Sequence, residues 1–308
     1  NFLHTCHSVI IAMMIKYKKK YQPKVFHNDI LNELDNFKDN FFDLTIADPP
    51  YFRVVGEKWD YEWRTEPDYL EWCEKWLQKI HKKTRYGGSI YIFGYFRTLS
   101  KLVEIAERNG FVLRQQIVID KGKRSISGRK TSTYKMFPNV TESILFLYKD
   151  NRQFIKPLFK TKAKKANLSA KDINEALGVK SNGGGMWSIY TGKNICQQFP
   201  TENFWNKITK ILDINIKYSE VSVNFNIING ITDVWSDIDF YFKNRIHPTQ
   251  KPYKLIERLI LSSSNKDDKV LDPFAGSGIT GHVCRELERR SFLVELEEEY
   301  INLLKANL

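Results

Sequence analysis

Short apolar runs and stretches of helical spacing alternate through the first half of the chain. Residues 24–29, Lys-Val-Phe-His-Asn-Asp, read as a short strand ending in an acid, and a helical stretch follows over 30–34. Residues 41–47, Phe-Phe-Asp-Leu-Thr-Ile-Ala, are apolar, short and closed by two prolines, as a central strand is. The stretch 52–64 carries Trp59, Tyr61 and Trp63 among charged residues with no clean period, and reads as a loop over the end of that strand. Thr65-Glu66-Pro67-Asp68 is an N-cap signature, after which Leu70, Cys73, Trp76, Leu77 and Ile80 recur at helical spacing. Residues 89–93 form another buried strand, and Leu99, Leu102, Val103 and Ala106 mark a helix stopped by Gly110. Two further strands, 111–119 and 140–148, are joined by the basic, glycine-containing stretch 121–135.

The alternation fails from 151 to 243, which predicts an inserted domain. This stretch holds a Lys-rich run at 156–165, a capped helix over 169–177 ended by Gly178, and Gly183-Gly184-Gly185 before Met186-Trp187. The helix followed by Gly178-Val179 hints at a helix-turn-helix, against which the three glycines weigh because they make a poor recognition helix. Trp187, Tyr190 and Trp205, set among Lys, Asn, Gln and Ser, are candidates for phosphate and base-edge contacts. Strong periodicity returns at the end. Leu255, Ile256, Leu259 and Ile260 lie on one helical face, Lys269-Val270-Leu271-Asp272 is a strand, and a glycine loop and helix lead to a last strand closed by Glu295. The expected divisions are an N-terminal extension, 1–23, a first half of an α/β sheet, 24–150, the insert, 151–243, and the second half of the sheet, 244–308.

The formal charge of +12 is uneven: residues 121–180 hold 15 Lys or Arg against 4 Asp or Glu. So concentrated an excess reads as a contact for a polyanion rather than as a solvated face. Lys123, Arg124, Arg129, Lys130, Lys162, Lys164 and Lys165 are its candidate contacts. Cys6, Cys73, Cys196 and Cys284 are scattered without paired spacing, which argues against a zinc site or a disulfide framework and fits a reducing cytoplasm. The apolar run 9–15 is too short to span a bilayer, and the Lys-rich stretch follows it where an export signal has its charges first; no membrane segment is expected.

Candidate chemistry sits at two strand ends. In Asp48-Pro49-Pro50-Tyr51 the prolines remove two backbone donors and turn the chain out of the sheet at its carboxyl edge, where catalytic groups of open α/β sheets gather. Asp48 and the Pro49 carbonyl can accept both N–H bonds of an exocyclic amine while Tyr51 stacks on its ring. The plainer alternative is a strand-ending turn in which Asp48 caps and Tyr51 packs. The second place is the loop Asp272-Pro273-Phe274-Ala275-Gly276-Ser277-Gly278 with the acid Glu295 after the next strand, a unit that binds a nucleoside through backbone approach and a ribose-accepting carboxylate. Asp29, at another strand end, either faces the same ligand or caps the next turn. Residues 276–281 also satisfy the dinucleotide fingerprint G-x-G-x-x-G, so a nicotinamide oxidoreductase competes; yet only 27 residues follow Gly281. The missing strands must come from upstream, between 25 and 148, so the sheet is circularly permuted.

The order of Asp-Pro-Pro-Tyr at 48–51, a basic insert, His-Pro-Thr-Gln-Lys-Pro at 247–252 and Asp-Pro-Phe-Ala-Gly-Ser-Gly at 272–278 resembles the β group of DNA amino-methyltransferases over about 24–308. The resemblance implies a circularly permuted Rossmann-like methyltransferase sheet with an inserted target-recognition domain. It also implies S-adenosylmethionine as donor, lying across Asp272, Phe274, Ala275, Gly276 and Gly278. Ribose recognition then goes to Glu295, the methionine end to Thr249 and Lys251, and the adenine ring of the donor to Asp29. An Asp before Pro-Pro-Tyr points to adenine N6, where cytosine-N4 enzymes usually carry Ser. The catalytic set is Asp48, Pro49, Pro50 and Tyr51, with no metal, and the partner is double-stranded DNA; a companion restriction endonuclease and a homodimer stay open. Leu293-Val294-Glu295 departs from the family in lacking the Gly often found before the ribose acid. A cytosine-N4 enzyme and a non-catalytic DNA-binding protein of the same fold are the alternatives.

Overall fold

The computed structural model describes residues 20–52, 62–126, 134–179, 185–192, 198–242 and 250–307. In chain order the first elements are β1 (Lys24–His27), α1 (Ile30–Glu33), β2 (Phe42–Ala47), α2 (Glu66–Lys83), β3 (Thr84–Gly94), α3 (Phe96–Arg108), β4 (Phe111–Asp120) and β5 (Thr141–Lys149). Then follow α4 (Arg152–Lys165), α5 (Ala170–Ala176), α6 (Met186–Thr191), α7 (Glu202–Ile211), β6 (Val234–Trp235), α8 (Tyr253–Ser263), β7 (Lys269–Asp272), α9 (Ile279–Glu286), β8 (Arg290–Glu295) and α10 (Glu298–Asn307).

The strands form one sheet in the order β1-β8-β7-β2-β3-β5-β4-β6. β1, β8, β7, β2 and β3 run parallel to their neighbours, and β5 returns antiparallel to β3. A parallel strand covered on both faces is buried along its length, and in β2 even Thr45 is buried although Phe42-Asp43-Leu44-Thr45-Ile46 alternates apolar and polar. β3 and β5 do divide by parity. Ile90, Ile92, Leu145 and Leu147 pack with Trp76 and Leu77 of α2 and Leu99 of α3, whereas Tyr91, Phe93, Ile144 and Phe146 pack with Leu255 and Leu259 of α8. The α2 start carries the expected capping box: Thr65 N–H donates to Asp68 at 3.0 Å and Asp68 N–H to Thr65 Oγ1 at 3.4 Å.

β2 and β7 are adjacent and parallel, Leu44 beside Val270 and Thr45 beside Leu271, although more than 200 residues separate them. From β7 the chain crosses through α9 to β8 in one direction along the sheet; from β2 it crosses through α2 to β3 in the other. The order reverses between them, and a crevice opens at their carboxyl ends. The circular permutation expected from the sequence is therefore the observed topology.

A second compact unit, Arg85–Gly88 with Lys149–Val223, separates from this sheet unit. Beyond the ends of β3 and β5 that it includes, its described elements are helical: α4, α5, α6 and α7 close over Phe159, Ile173, Trp187, Tyr190 and Trp205. These aromatics were candidates for nucleic-acid contacts, and the structure buries them; Trp205 Nε1–H donates to the Ile216 carbonyl at 3.0 Å. The α6 helix has only six residues and buries Trp187 and Tyr190, so it does not present a recognition face. Residues 224–242, expected in the insert, return to the sheet unit, where Val234–Trp235 pairs with β4. A two-residue strand has no periodicity to read. Among the described residues no helix is long and apolar enough to cross a membrane.

Candidate functional site

β2 delivers Asp48 to the crevice, and Pro49 and Pro50 carry the chain out of the sheet. The Asp48 side chain is 26% exposed. Its Oδ2 lies 3.0 Å from Lys251 Nζ, and its Oδ1 lies 2.9 Å from the Tyr51 hydroxyl. The same hydroxyl stands 2.8 Å from Glu142 Oε1, and Lys251 Nζ stands 2.9 Å from that oxygen. Lys121, just past β4, reaches Glu142 Oε2 at 3.2 Å. Two carboxylates and two ammoniums thus interlock around one phenol. The Tyr51 ring meets Tyr95 edge-on, centroids 5.4 Å apart, and Lys251 Nζ lies 5.5 Å from its centroid.

Burial and charge pull against each other in this cluster. Burial alone would raise the Glu142 carboxyl, but the Lys251 and Lys121 ammoniums overcome it and hold the group at about 2. Burial would lower Lys251, and the charges of Asp48 and Glu142 outweigh it, so its ammonium is held more firmly than usual. For Asp48 burial prevails: with the Glu142 charge adding to it, the carboxyl is raised despite Lys251. Burial and the two carboxylates likewise push the Tyr51 phenol well up.

The glycine loop closes the other side. Asp272, at the end of β7, accepts the Phe274 N–H at 3.1 Å. Burial pushes its carboxyl up to about 7, the charges of Asp48 and Glu295 adding to the effect and hydrogen bonds from Thr280 and Phe274 opposing it. Glu295 accepts the Gly276 N–H at 2.7 Å on Oε2, and those of Leu296 and Glu297, each at 2.9 Å, on Oε1. It therefore fixes the loop to the end of β8; burial still raises its carboxyl. Gly276 has φ +49, and a Cβ there would meet nothing nearer than the Phe274 carbonyl at 4.0 Å, so the loop leaves open space above it. At Gly281 a Cβ would come within 2.7 Å of Leu293 Cδ1, which is why α9 can lie close on β8.

Asp29, Asp48, Tyr51, Lys251, Asp272 and Glu295 all line one cavity of about 360 Å³, together with Pro49, Pro50, Phe274, Ala275 and Gly276. Asp29 satisfies both of its readings: it lines the cavity, and its Oδ1 accepts the Leu31 N–H at 2.6 Å as the cap of α1. Gly278 does not line it; with φ +77 it makes the turn into α9, its N–H bonded to the Ala275 carbonyl at 2.8 Å. Thr249, Arg129 and Lys130 lie outside the described residues, as do Trp59 and Tyr61. Trp63 is buried against Tyr69 and Trp72, 5.0 and 4.6 Å between centroids, so this ring packs into the core. Lys123 and Arg124 are exposed in the sheet unit. Lys164 and Lys165 are exposed in the helical unit, but Lys162 is half-buried and donates to the Asp213 carbonyl at 2.5 Å. Glu142 and Lys121 were not singled out from the sequence. A lone acid opening the apolar strand 141–149 was the available signal.

The Asp272 carboxyl carries a prediction for stability. Its folded-state value of about 7 stands above the ordinary 3.8, so between them the folded chain binds more protons than the unfolded one and stability falls as pH rises. Asp272→Asn removes this penalty. Thermal melts of the ligand-free protein should show a variant matching the wild type near pH 4 and exceeding it increasingly up to pH 8. A pH-independent difference would mean that the carboxyl is already charged in acid.

A model of the family described as DNA methylase matches residues 42–306. The type II methyltransferase M.ScaI of Streptomyces caespitosus is 27% identical to this chain, covering 92% of it and 80% of its own length. The DNA adenine methyltransferase YhdJ of Escherichia coli (strain K12) is 26% identical, covering 91% of this chain and 80% of its own. The solved structure of an M1.HpyAVI–SAM complex shares the fold, with a TM-score of 0.55 at 21% identity over 92% of this chain and 99% of that one.

Proposed function

The chain belongs to the DNA methylase family, and from that membership we propose that it methylates N6 of an adenine turned out of double-stranded DNA, with S-adenosylmethionine as donor. The observation that carries the adenine reading is Asp48: an acceptor carboxylate, followed by the donor-free carbonyl of Pro49, opens on the cavity at the sheet's switch point. An exocyclic amine has two protons to place, and these two oxygens can take them, localising the nitrogen lone pair for attack. The name of YhdJ supports the same choice of base. That of M.ScaI, a type II methyltransferase, supports a DNA-modifying role, to which the reading adds a companion restriction endonuclease and a cytoplasmic location.

The cavity suits this donor on its own chemistry. Asp48, Asp272 and Glu295 are among the carboxylates that line it, and Asp272 is held at about 7 by burial and by the charges of the other two, a strain that a cationic ligand relieves. Bound, the donor supplies a methyl group already activated by its sulfonium, so positioning and electrostatics are left to the protein. Glu295 and Asp29 keep unused lone pairs beyond their backbone bonds with which to accept ribose or adenine donors. The backbone at Gly276 leaves room for the ligand's approach, and Phe274 offers an apolar wall. Lys251, committed to Asp48 and Glu142, serves the amine side of the site rather than the methionine end assigned to it by resemblance. Tyr51 is the stacking partner for the target base, and Lys123, Arg124, Lys164 and Lys165 are the phosphate contacts.

The test is direct: incubate the protein with DNA and labelled donor, digest to nucleosides, and identify the labelled one. N6-methyladenine is expected, and N4-methylcytosine in its place would overturn the choice of base. DNA affinity should also fall steeply with salt. Replacing Lys123, Arg124, Lys164 and Lys165 with Ala should flatten the log–log slope by about one unit for each phosphate left without its cation. Lys162→Ala should leave the slope alone, because its ammonium is already engaged.

A further inference from the structure

We propose that Glu142 is a positioning residue that prepares Asp48 to take the proton the target amine gives up, acting through the hydroxyl of Tyr51. The inference rests on the amine-methylating reading above. Its starting point is a count of protons. The Tyr51 hydroxyl lies 2.9 Å from Asp48 Oδ1 and 2.8 Å from Glu142 Oε1, both hydrogen-bond distances, but a phenol has one proton to donate. With both carboxylates ionised, one of these two oxygen–oxygen pairs has no hydrogen between them. One added proton completes the chain.

That proton belongs on Asp48. Glu142 is 4% exposed and faces two ammoniums, Lys251 at 2.9 Å and Lys121 at 3.2 Å, which hold it ionised. Among the described residues Asp48 has Lys251 alone as cation, at 3.0 Å, and it is 26% exposed toward the cavity. Among the described residues, the other titratable groups acting on or near it include Tyr51 from its own corner, Glu142 from β5, Asp272 from β7 and Tyr69 from α2. A protonated Asp48 then donates to Tyr51, which donates to ionised Glu142.

The methylation reaction delivers such a proton. As the nitrogen bonds the methyl carbon, the carbon–sulfur bond breaks with its electron pair left on sulfur, and the nitrogen becomes cationic. One of its N–H bonds then breaks, the pair stays on nitrogen, and the proton passes to Asp48 Oδ1. Glu142 favours this in three ways with one sign: it adds negative charge beside Asp48, shares Lys251 with it, and draws on the same Tyr51 proton. Each raises the proton affinity of Asp48.

The experiment follows the Asp48 carboxyl itself. In ligand-free protein carrying ¹³C-carboxyl aspartate, with the Asp48 signal assigned by Asp48→Asn, Asp48 should titrate at lower pH in Glu142→Gln than in the wild type. At saturating DNA and donor the acid limb of the kcat profile should move in the same direction. The value of kcat should fall roughly a hundredfold, while KM for the donor stays put. Glu142→Asp, which keeps the charge but withdraws it from Tyr51 and Lys251, should give the same sign with a smaller loss, and it carries the test if the Gln variant does not fold. An Asp48 titration unmoved or shifted upward in both variants overturns the proposal, even where activity is lost, since that pattern is structural damage. A wild type that methylates no DNA amine defeats the assigned reaction instead, and the titration separates the two failures.

Discussion

Asp48→Ala should remove methyl transfer, by roughly a thousandfold in a single turnover, while donor binding measured by calorimetry stays near the wild-type value. The two halves of this result come from different strands. Asp48 ends β2 on the amine side; Asp272 and Glu295 end β7 and β8, and their hydrogen bonds to Phe274, Gly276, Leu296 and Glu297 do not involve it. Nor should the fold suffer much. Lys251 keeps Glu142 at 2.9 Å when Asp48 is gone, so no buried ammonium is left alone. Complete loss of donor affinity in a folded Asp48→Ala protein would move this carboxylate to the donor. The reciprocal variant, Glu295→Ala, should weaken donor binding first, with turnover recovering at high donor concentration.

How legible the site was depended on the range of the interaction that builds it. β2 with its two prolines, the Thr65 capping box, and the glycine loop between β7 and β8 are local events, and local patterns predicted them. The switch point was legible in the order of the motifs, the Asp48 corner coming before the glycine loop. Glu142 is different. Its partners are Tyr51, 91 residues before it, Lys251, more than 100 after it, and Lys121, just past β4, which lies beside β5 in the sheet. Nothing in a spacing encodes such a meeting. The aromatics of the helical unit failed for another reason: composition says that Trp187, Tyr190 and Trp205 are present, but not that short helices turn them inward. Lys162 likewise counted as charge until a carbonyl, Asp213, was found to hold it.

Lys251→Met tests the electrostatic balance of the site as a whole and should be the most destabilising of these substitutions. The ammonium is 11% exposed and lies between a Glu142 side chain 5% exposed and Asp48. Among the described residues its removal leaves Asp48 with no cation and Glu142 with Lys121 alone. Breaking a buried ion pair by deleting one partner costs about 3–5 kcal/mol, because the surviving charge stays desolvated. The sign with pH distinguishes this from lost packing. In the wild type Glu142 is held at about 2 against an ordinary 4.5; its contribution is fully present above 4.5 and is lost as pH falls toward 2. Without Lys251 the burial of both carboxyls is opposed by much less positive charge, and their folded-state values rise. Stability from these groups is then present in acid and lost as pH climbs. Urea melts should accordingly show the gap between the two proteins widest near pH 8 and narrowing toward pH 4, where the carboxyls can take up protons instead of a lysine. A gap of constant size would assign the effect to the packed methylenes of the Lys251 stem.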